Sequence, residues 1–140
     1  MSKLQLSALD AADLEVISAN MQDAVVTIGD IHYLKGQRKF ALIANRFLWQ
    51  KEKPPYERRR TGLSFDRVLG VKSQRIRRGA DDAVLSLLAI SFTAGEEPSG
   101  TIMLTFSGGG QINLDVECIE ARLADLGPAW TTPNFPSHDR

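Results

Sequence analysis

Apolar residues alternate with others in two neighbouring segments of residues 100–127, which predicts the unit around which the fold is organised. The inward positions of the two segments are Ile102, Leu104 and Phe106, and then Ile112, Leu114 and Val116. This period of two is typical of strands that turn one face to a core. Gly108, Gly109 and Gly110 lie between the segments, and glycine takes the positive φ of tight turns without steric cost. The pattern therefore predicts a β-hairpin.

The apolar period changes after the second of these strands. Ile119, Leu123 and Leu126 are spaced i, i+4 and i+7, which is one face of an α-helix. Gly127 and Pro128 follow directly, a pair that is typical of a helix end. We therefore predict a C-terminal helix over residues 115–127 that caps a mostly β domain.

The first third of the chain predicts a strand, a helix and an interrupted strand. Leu4 and Leu6 favour a short opening strand, and a helix capped at Asp10 follows. Leu14, Ile17 and Met21 share one face of that helix. The apolar positions from Val26 to Tyr33 predict a strand with a bulge or turn at Gly29 and Asp30.

The middle of the chain predicts three further strands separated by polar loops. Residues 39–49 are apolar on both faces, which is typical of a central strand. Residues 50–60 contain Pro54 and Pro55 and five Lys or Arg, and they predict a solvated loop. A strand over 62–72, a loop over 73–82 and a buried strand over 84–93 follow.

Together these elements predict the α+β class. We expect a bent, mostly antiparallel sheet or barrel of about six to seven strands, with an early helix and a C-terminal capping helix. A pleckstrin-homology-like barrel fits this description best, and a flat sheet with two helices on one face is the alternative. Residues 1–130 are expected to form one domain. Pro133 and Pro136 predict a poorly ordered tail over 131–140.

Composition indicates an ordinary globular protein. Apolar residues make up 43% and charged residues 24% of the 140 residues, and the net charge is zero. Cys118 is the only cysteine, so an intramolecular disulfide is excluded. The sequence shows no signal peptide and no apolar run long enough to span a membrane. We therefore expect a cytoplasmic protein.

The zero net charge conceals a strong asymmetry along the chain. Residues 35–78 carry 14 Lys or Arg against three acids, a net charge of +11, whereas residues 1–34 carry −4 and residues 79–140 carry −7. A segment this basic favours an anionic partner, since arginine pairs bidentately with phosphate and carboxylate. The candidate binding residues are Arg46, Arg58, Arg59, Arg60, Arg67, Arg75, Arg77, Arg78 and Tyr56. The spacing predicts an extended basic face and not a pocket.

Other candidate chemistry is weak. Cys118 near a predicted helix start is flanked by Glu117 and Glu120, which oppose a thiolate. His32 and His138 have no ligand partner at metal-binding spacing, so no metal or cofactor site is predicted. The triple glycine precedes a strand and lacks a following Lys, so it does not fit a phosphate loop.

Five motifs resemble those of a known family. They are DLEVIS at 13–18 with QDA at 22–24, NRF at 45–47 with Trp49, YERRR at 56–60, FDRV at 65–68 and DVECIEARLADLG at 115–127. Together they resemble a family of short bacterial proteins of unknown function, mostly from alphaproteobacteria. The resemblance implies a bacterial cytoplasmic protein and supplies no activity, cofactor or catalytic residue.

Three hypotheses about function follow. The first is a non-enzymatic binding or regulatory module whose basic face engages nucleic acid, an acidic protein surface or a phosphorylated small molecule. The second is a structural or assembly protein in which basic and acidic surfaces pair within or between subunits. The third is an enzyme of unrecognised class, with a site built from arginines, Asp66 and Tyr56.

Overall fold

The computed structural model describes residues 3–50, 52–77, 79–133 and 135–136. The described part of the chain contains nine strands, one α-helix and two short 3-10 turns. The strands are β1 (Gln5–Ala8), β2 (Ala24–Leu34), β3 (Lys39–Phe47), β4 (Tyr56–Phe65), β5 (Val68–Gln74), β6 (Val84–Ala94), β7 (Gly100–Phe106), β8 (Gln111–Val116) and β9 (Ala121–Thr132). The helix α1 is Ala11–Met21, and the 3-10 turns are Lys35–Gln37 and Ser107–Gly109.

All nine strands belong to one sheet, and every pairing in it is antiparallel. The order is β1-β9-β4-β3-β2-β6-β7-β8-β5, so β1 and β5 are the edge strands. Residues from both ends of this order, Ala8 on β1 and Val68 on β5, belong to the same core cluster. The open sheet therefore bends strongly around one core. The prediction of a bent antiparallel sheet is confirmed in this form, with nine strands where six to seven were expected, and the pleckstrin-homology-like barrel is not confirmed.

The only α-helix in the described residues is the early one. Asp10 caps it by accepting a hydrogen bond from the Asp13 N–H at 2.8 Å, as the sequence predicts. Leu14, Ile17 and Met21 are fully buried, and the helix packs on β1 and β6. The helix therefore covers the core from one side of the bent sheet.

Two predicted irregularities are confirmed. Between β2 and β3 the register passes from Val26 opposite Ala44 to Ile31 opposite Leu42, so residues 27–30 form the expected bulge. The β7–β8 hairpin turns at Gly108 and Gly109, which have φ values of 77° and 85°. That backbone conformation favours glycine.

The predicted C-terminal helix is wrong, because residues 121–132 form strand β9. Ala121, Leu123 and Asp125 are buried in alternation, whereas Leu126 is 50% exposed. The helical spacing was a coincidence within a period-two pattern. Between β4 and β9 the register slips from Asp125 to Ala129, so residues 126–128 bulge opposite Arg60. A bulge accommodates Pro128, which cannot donate to the ladder.

The predicted strand over 62–72 is also wrong in its boundaries. β4 begins at Tyr56, inside the expected loop, and ends at Phe65; β5 begins at Val68. Arg67 turns the chain between them with a φ of 62°. The two strands lie far apart in the sheet, since β4 is third in the strand order and β5 is last. β5 ends at Gln74 and β6 begins at Val84, so residues 75–83 connect them where a loop over 73–82 was predicted.

The tail packs in part against the end of β3. The Phe135 ring lies 5.4 Å from Phe47, 5.6 Å from Trp49 and 5.1 Å from Tyr56, centroid to centroid. Residues 134 and 137–140 of the predicted tail lie outside the described residues. The expectation of one domain over residues 1–130 with a poorly ordered tail over 131–140 stays a prediction.

Candidate functional site

Strand β5 forms one edge of the sheet and is the first component of the candidate site. On its inner side it pairs with β8 from Val68 opposite Val116 to Gln74 opposite Gln111. On its outer side only its first residue is held: the Val68 N–H donates to the Arg38 carbonyl at 2.8 Å, and the Val68 carbonyl accepts from the Tyr33 hydroxyl at 3.2 Å. Among the described residues, no backbone hydrogen bond reaches the outer edge of β5 beyond that point. Unpaired backbone groups along an edge favour the addition of another strand.

An apolar crevice of about 300 Å³ opens beside this edge. One wall comes from β2 and β3, and the other comes from β5, β8 and the segment after β5. The lining residues are Ile28, Ile31, Tyr33, Phe40, Val71, Ser73, Ile76 and Ile112. The β2 bulge beside the crevice is held by Asp81 and Ala83, whose carbonyls accept the N–H groups of Gly29 and Ile28 at 2.9 Å.

Three exposed cations lie on β5 and directly after it. Lys72 is on the outward face of the strand, and Arg75 and Arg77 follow its last residue. Arg75 lies over the β7–β8 turn, where an added methyl group on Gly109 would stand 3.1 Å from its Nη1. Ile76 packs in the same way against Gly110. We call Lys72, Arg75 and Arg77 the β5 basic rim.

Arg46 and Arg59, by contrast, lie inside the protein. Their side chains are 3% and 6% exposed, and both approach Asp125, whose side chain is fully buried. Arg46 makes a bidentate pair with Asp125, from Nε to Oδ1 at 2.8 Å and from Nη2 to Oδ2 at 2.9 Å. Arg59 Nη1 lies 3.6 Å from Oδ2. The sheet register explains the meeting, since Thr61 and Asp125 face each other and Arg46 is opposite Arg59.

Asp125 also accepts hydrogen bonds from two neutral donors. The Thr61 hydroxyl donates at 2.7 Å and the Leu4 N–H donates at 2.8 Å. Burial by itself would raise the pKa of Asp125, but the hydrogen bonds from Arg46, Leu4 and Thr61 outweigh it and lower that pKa to about 2. This buried network connects β3, β4, β9 and the residue before β1, and it stabilises the fold.

The lowered pKa of Asp125 predicts a loss of stability in acid. The ordinary pKa is 3.8 and the folded value about 2, so between these values the unfolded chain binds more protons than the folded chain. The stabilisation is complete above the ordinary value and is lost as the pH falls towards 2. Urea unfolding of the wild type and of Asp125→Asn should therefore show a stability difference that shrinks through this window. A difference that stays constant would contradict the assignment.

Arg58 is also engaged within the protein. Its Nη1 donates to the carbonyls of Asn45 at 2.9 Å and Asp23 at 3.3 Å, and its guanidinium carbon lies 5.5 Å from the centre of the Phe47 ring. Burial lowers the pKa of Arg58, and the Asp23 carboxylate partly opposes that shift. Tyr56 is part of the adjoining aromatic cluster, 5.7 Å from Phe47.

The remaining predicted residues are dispersed. Arg60 is exposed on β4 opposite the β9 bulge. Arg67 lies at the β4–β5 turn, with its Nε 3.9 Å from Glu120. Arg78 lies outside the described residues. Of the predicted residues, Arg75 and Arg77 thus lie beside the edge strand β5. Four others pack where β3 ends and β4 begins: Arg46, Arg58, Arg59 and Tyr56. Arg60 and Arg67 belong to neither group.

The sequence reasoning missed the crevice and left Lys72 out of the candidate binding residues. The alternation of Val71 and Ser73 with Lys72 and Gln74 was a visible signal of a half-buried strand. That β5 is an edge strand was not visible, because sheet order depends on long-range pairing. The partner of Arg46 was also hidden, since Asp125 was assigned to a helix.

The described residues contain neither a metal-binding cluster of side chains nor a membrane-spanning helix. Across them, no three His, Cys, Asp or Glu side chains are grouped so as to hold a metal ion. None of the helices in this part of the chain combines the length and apolar character that crossing a bilayer requires.

Comparison with known proteins identifies a family. A search of curated proteins found no match, and a search of solved structures found none either. A family model described as "Protein of unknown function (DUF2948)" matches residues 4–138, almost the whole chain. This agrees with the resemblance seen in the sequence. The chain therefore belongs to the DUF2948 family of proteins of unknown function.

Proposed function

We propose that this protein is a non-enzymatic binding module that engages an anionic partner through the β5 basic rim. The observation that carries the proposal is that three exposed cations without an ion pair lie together at one edge of the sheet, whereas several other cations of the basic segment are paired. Arg38, Lys39, Arg46 and Arg67 pair with Glu117, Asp66, Asp125 and Glu120 of the same chain. Within the described part of the chain, no ion pair involves Lys72, Arg75 or Arg77.

The three cations of the β5 basic rim are exposed, and none of them has an ion pair among the described residues. Exposed cations without an internal carboxylate keep their full attraction for an external anion. The Arg75 side chain also lies beside Gly109 of the β7–β8 turn. The buried Arg46 and Arg59 are committed to Asp125 and do not belong to the proposed surface. The basic middle of the chain thus divides into a structural part and a binding part.

The test is a titration of the full chain with three polyanions: poly-L-glutamate, heparin and single-stranded DNA. At low salt at least one should bind, and the affinity should fall steeply between about 50 and about 200 mM salt. The triple variant Lys72→Gln, Arg75→Gln, Arg77→Gln should bind about tenfold more weakly, which corresponds to about 1.4 kcal/mol. Its melting temperature should be nearly unchanged, since exposed charges contribute little to stability.

The matched control changes the same net charge elsewhere. Lys3, Lys53 and Arg122 are exposed and lie away from β5, so their triple replacement by glutamine should leave binding within about twofold. Equal weakening of the two triple variants, or no binding of any polyanion at low salt, would overturn the proposal. Light scattering at two concentrations and two salt levels shows whether the anionic partner is instead a second copy of the chain.

A further inference from the structure

We infer that the anionic partner is an extended acidic polypeptide that adds to the outer edge of β5 as a tenth strand and places an apolar side chain in the adjoining crevice. This inference rests on the proposed function and names the partner class for the same site. It combines three features that lie side by side: the edge, the crevice and the β5 basic rim.

The edge supplies the backbone contacts. In an antiparallel pair, alternate residues of a strand turn both N–H and C=O away from their partner. β8 occupies the inner side of β5 over residues 70–74, so the alternate backbone groups of this stretch face outwards. The hydrogen bonds of Val68 with Arg38 and Tyr33 occupy one end of the edge and leave the rest accessible. An incoming strand would run beside it at about 4.8 Å.

The crevice supplies the apolar contact. The side chains of Val71 and Ser73 lie on the face of β5 that borders the crevice. Alternate side chains of an added strand would point to the same side as these two. They would meet Ile28 and Ile31 of β2 and Ile76 across the gap. An aliphatic or aromatic side chain suits such a lining, and a phosphate group does not, because burial of a charge among apolar atoms is costly.

The rim decides the charge of the partner. Side chains directly opposite in neighbouring strands lie about 5 Å apart, so an acidic residue beside Lys72 is favoured. Arg75 and Arg77 extend the positive charge beyond the end of β5. A second copy of this chain is disfavoured as the occupant, since pairing two β5 edges would bring two sets of these cations together. Nucleic acid would use the cations but neither the edge nor the crevice.

The probe is a fluorescein-labelled peptide of seven residues, the length of β5, with Glu at odd positions and one apolar residue type at even positions. Four versions carry Val, Leu, Ile or Phe, and a fifth carries Ser as the control. At least one apolar version should bind about tenfold more tightly than the Ser version in fluorescence anisotropy. Amide hydrogen exchange of residues 70–74 should slow on binding.

Backbone pairing is tested by N-methylation of alternate amides. One methylated set blocks the peptide edge that faces β5, and the other set blocks the opposite edge. One of the two peptides should therefore lose at least about tenfold in affinity while the other stays within about twofold. Equal affinities of the two methylated peptides would overturn strand addition.

Two protein variants complete the test. Val71→Thr keeps the shape of a crevice residue and adds a hydroxyl, and it should weaken the apolar peptides by about threefold or more. Leu69→Thr on the same strand, at a position 50% exposed, should leave affinity unchanged. If poly-L-glutamate binds through the rim but the apolar peptides gain nothing over the Ser peptide, this inference fails and the proposed function stands. If no polyanion binds, the proposed function fails and the inference with it.

Discussion

Replacing Asp125 with alanine is expected to lower the free energy of unfolding by about 3–5 kcal/mol, the usual effect of removing one partner of a buried ion pair. The loss should be near the upper end of that range, because two arginines depend on this carboxylate. Arg46 and Arg59 would both stay buried, and the Leu4 N–H and the Thr61 hydroxyl would lose their acceptor. Urea unfolding followed by tryptophan fluorescence measures the change.

Glu117→Ala is the control for the Asp125 prediction. Glu117 pairs with Arg38 at 2.7 Å, but the two side chains are 37% and 63% exposed. A surface pair of this kind contributes about 0–1 kcal/mol. If the two substitutions cost the same, the buried network does not have the structural role assigned to it.

Leu123→Ala is expected to destabilise the protein by about 2–5 kcal/mol. Leu123 is 1% exposed and lies in a row of the sheet with Leu63 and Leu42. Truncation there leaves a cavity that the surrounding strands fill only in part. Thermal or urea unfolding gives the size of the effect.

Leu126→Ala provides a matched comparison for Leu123→Ala. A helix over 115–127 would bury both leucines on one face, so both truncations would be costly. Strand β9 buries Leu123 and leaves Leu126 50% exposed over Gly62. The strand therefore predicts a loss below about 1 kcal/mol for Leu126→Ala, as for most surface changes. Similar large losses at the two positions would favour the helix.

The elements predicted correctly are those whose signals are local. The Asp10 cap and the apolar face of α1 lie within a few turns of chain, and the β7–β8 hairpin has its glycines at the turn. The β2 bulge at Gly29 was also visible, because glycine and aspartate interrupt an otherwise apolar strand. Short-range patterns of this kind depend on neighbouring residues and need no knowledge of the fold.

The errors in the prediction have a physical cause as well. Ile119, Leu123 and Leu126 match a helical period, and only the docking of β9 between β1 and β4 selects the strand. Asp66 and Arg67 separate β4 from β5 with a positive φ at an arginine, a residue that does not signal it. Tertiary contacts overrode local preference in both places.

The candidate site was predictable only in its charge. The excess of Lys and Arg over residues 35–78 is a property of the sequence, and it correctly separates this segment from the acidic ends. Which cations face solvent depends on how the strands pair in the sheet. Arg46 and Arg59 point inwards because their positions on β3 and β4 share the face that carries Leu42 and Leu63.

The sequence by itself therefore determined the class, the early helix, the hairpin and the charge asymmetry, because periodicity, capping and composition are local quantities. The tertiary structure alone decided the order of the nine strands and, with it, the edge position of β5. It also decided which cations find a carboxylate. Asp125 reaches Arg46 across 79 residues of chain, whereas Lys72, Arg75 and Arg77 lie where the sheet ends and no acidic strand follows. Long-range pairing creates both the buried network and the basic rim, and neither is encoded in a local pattern.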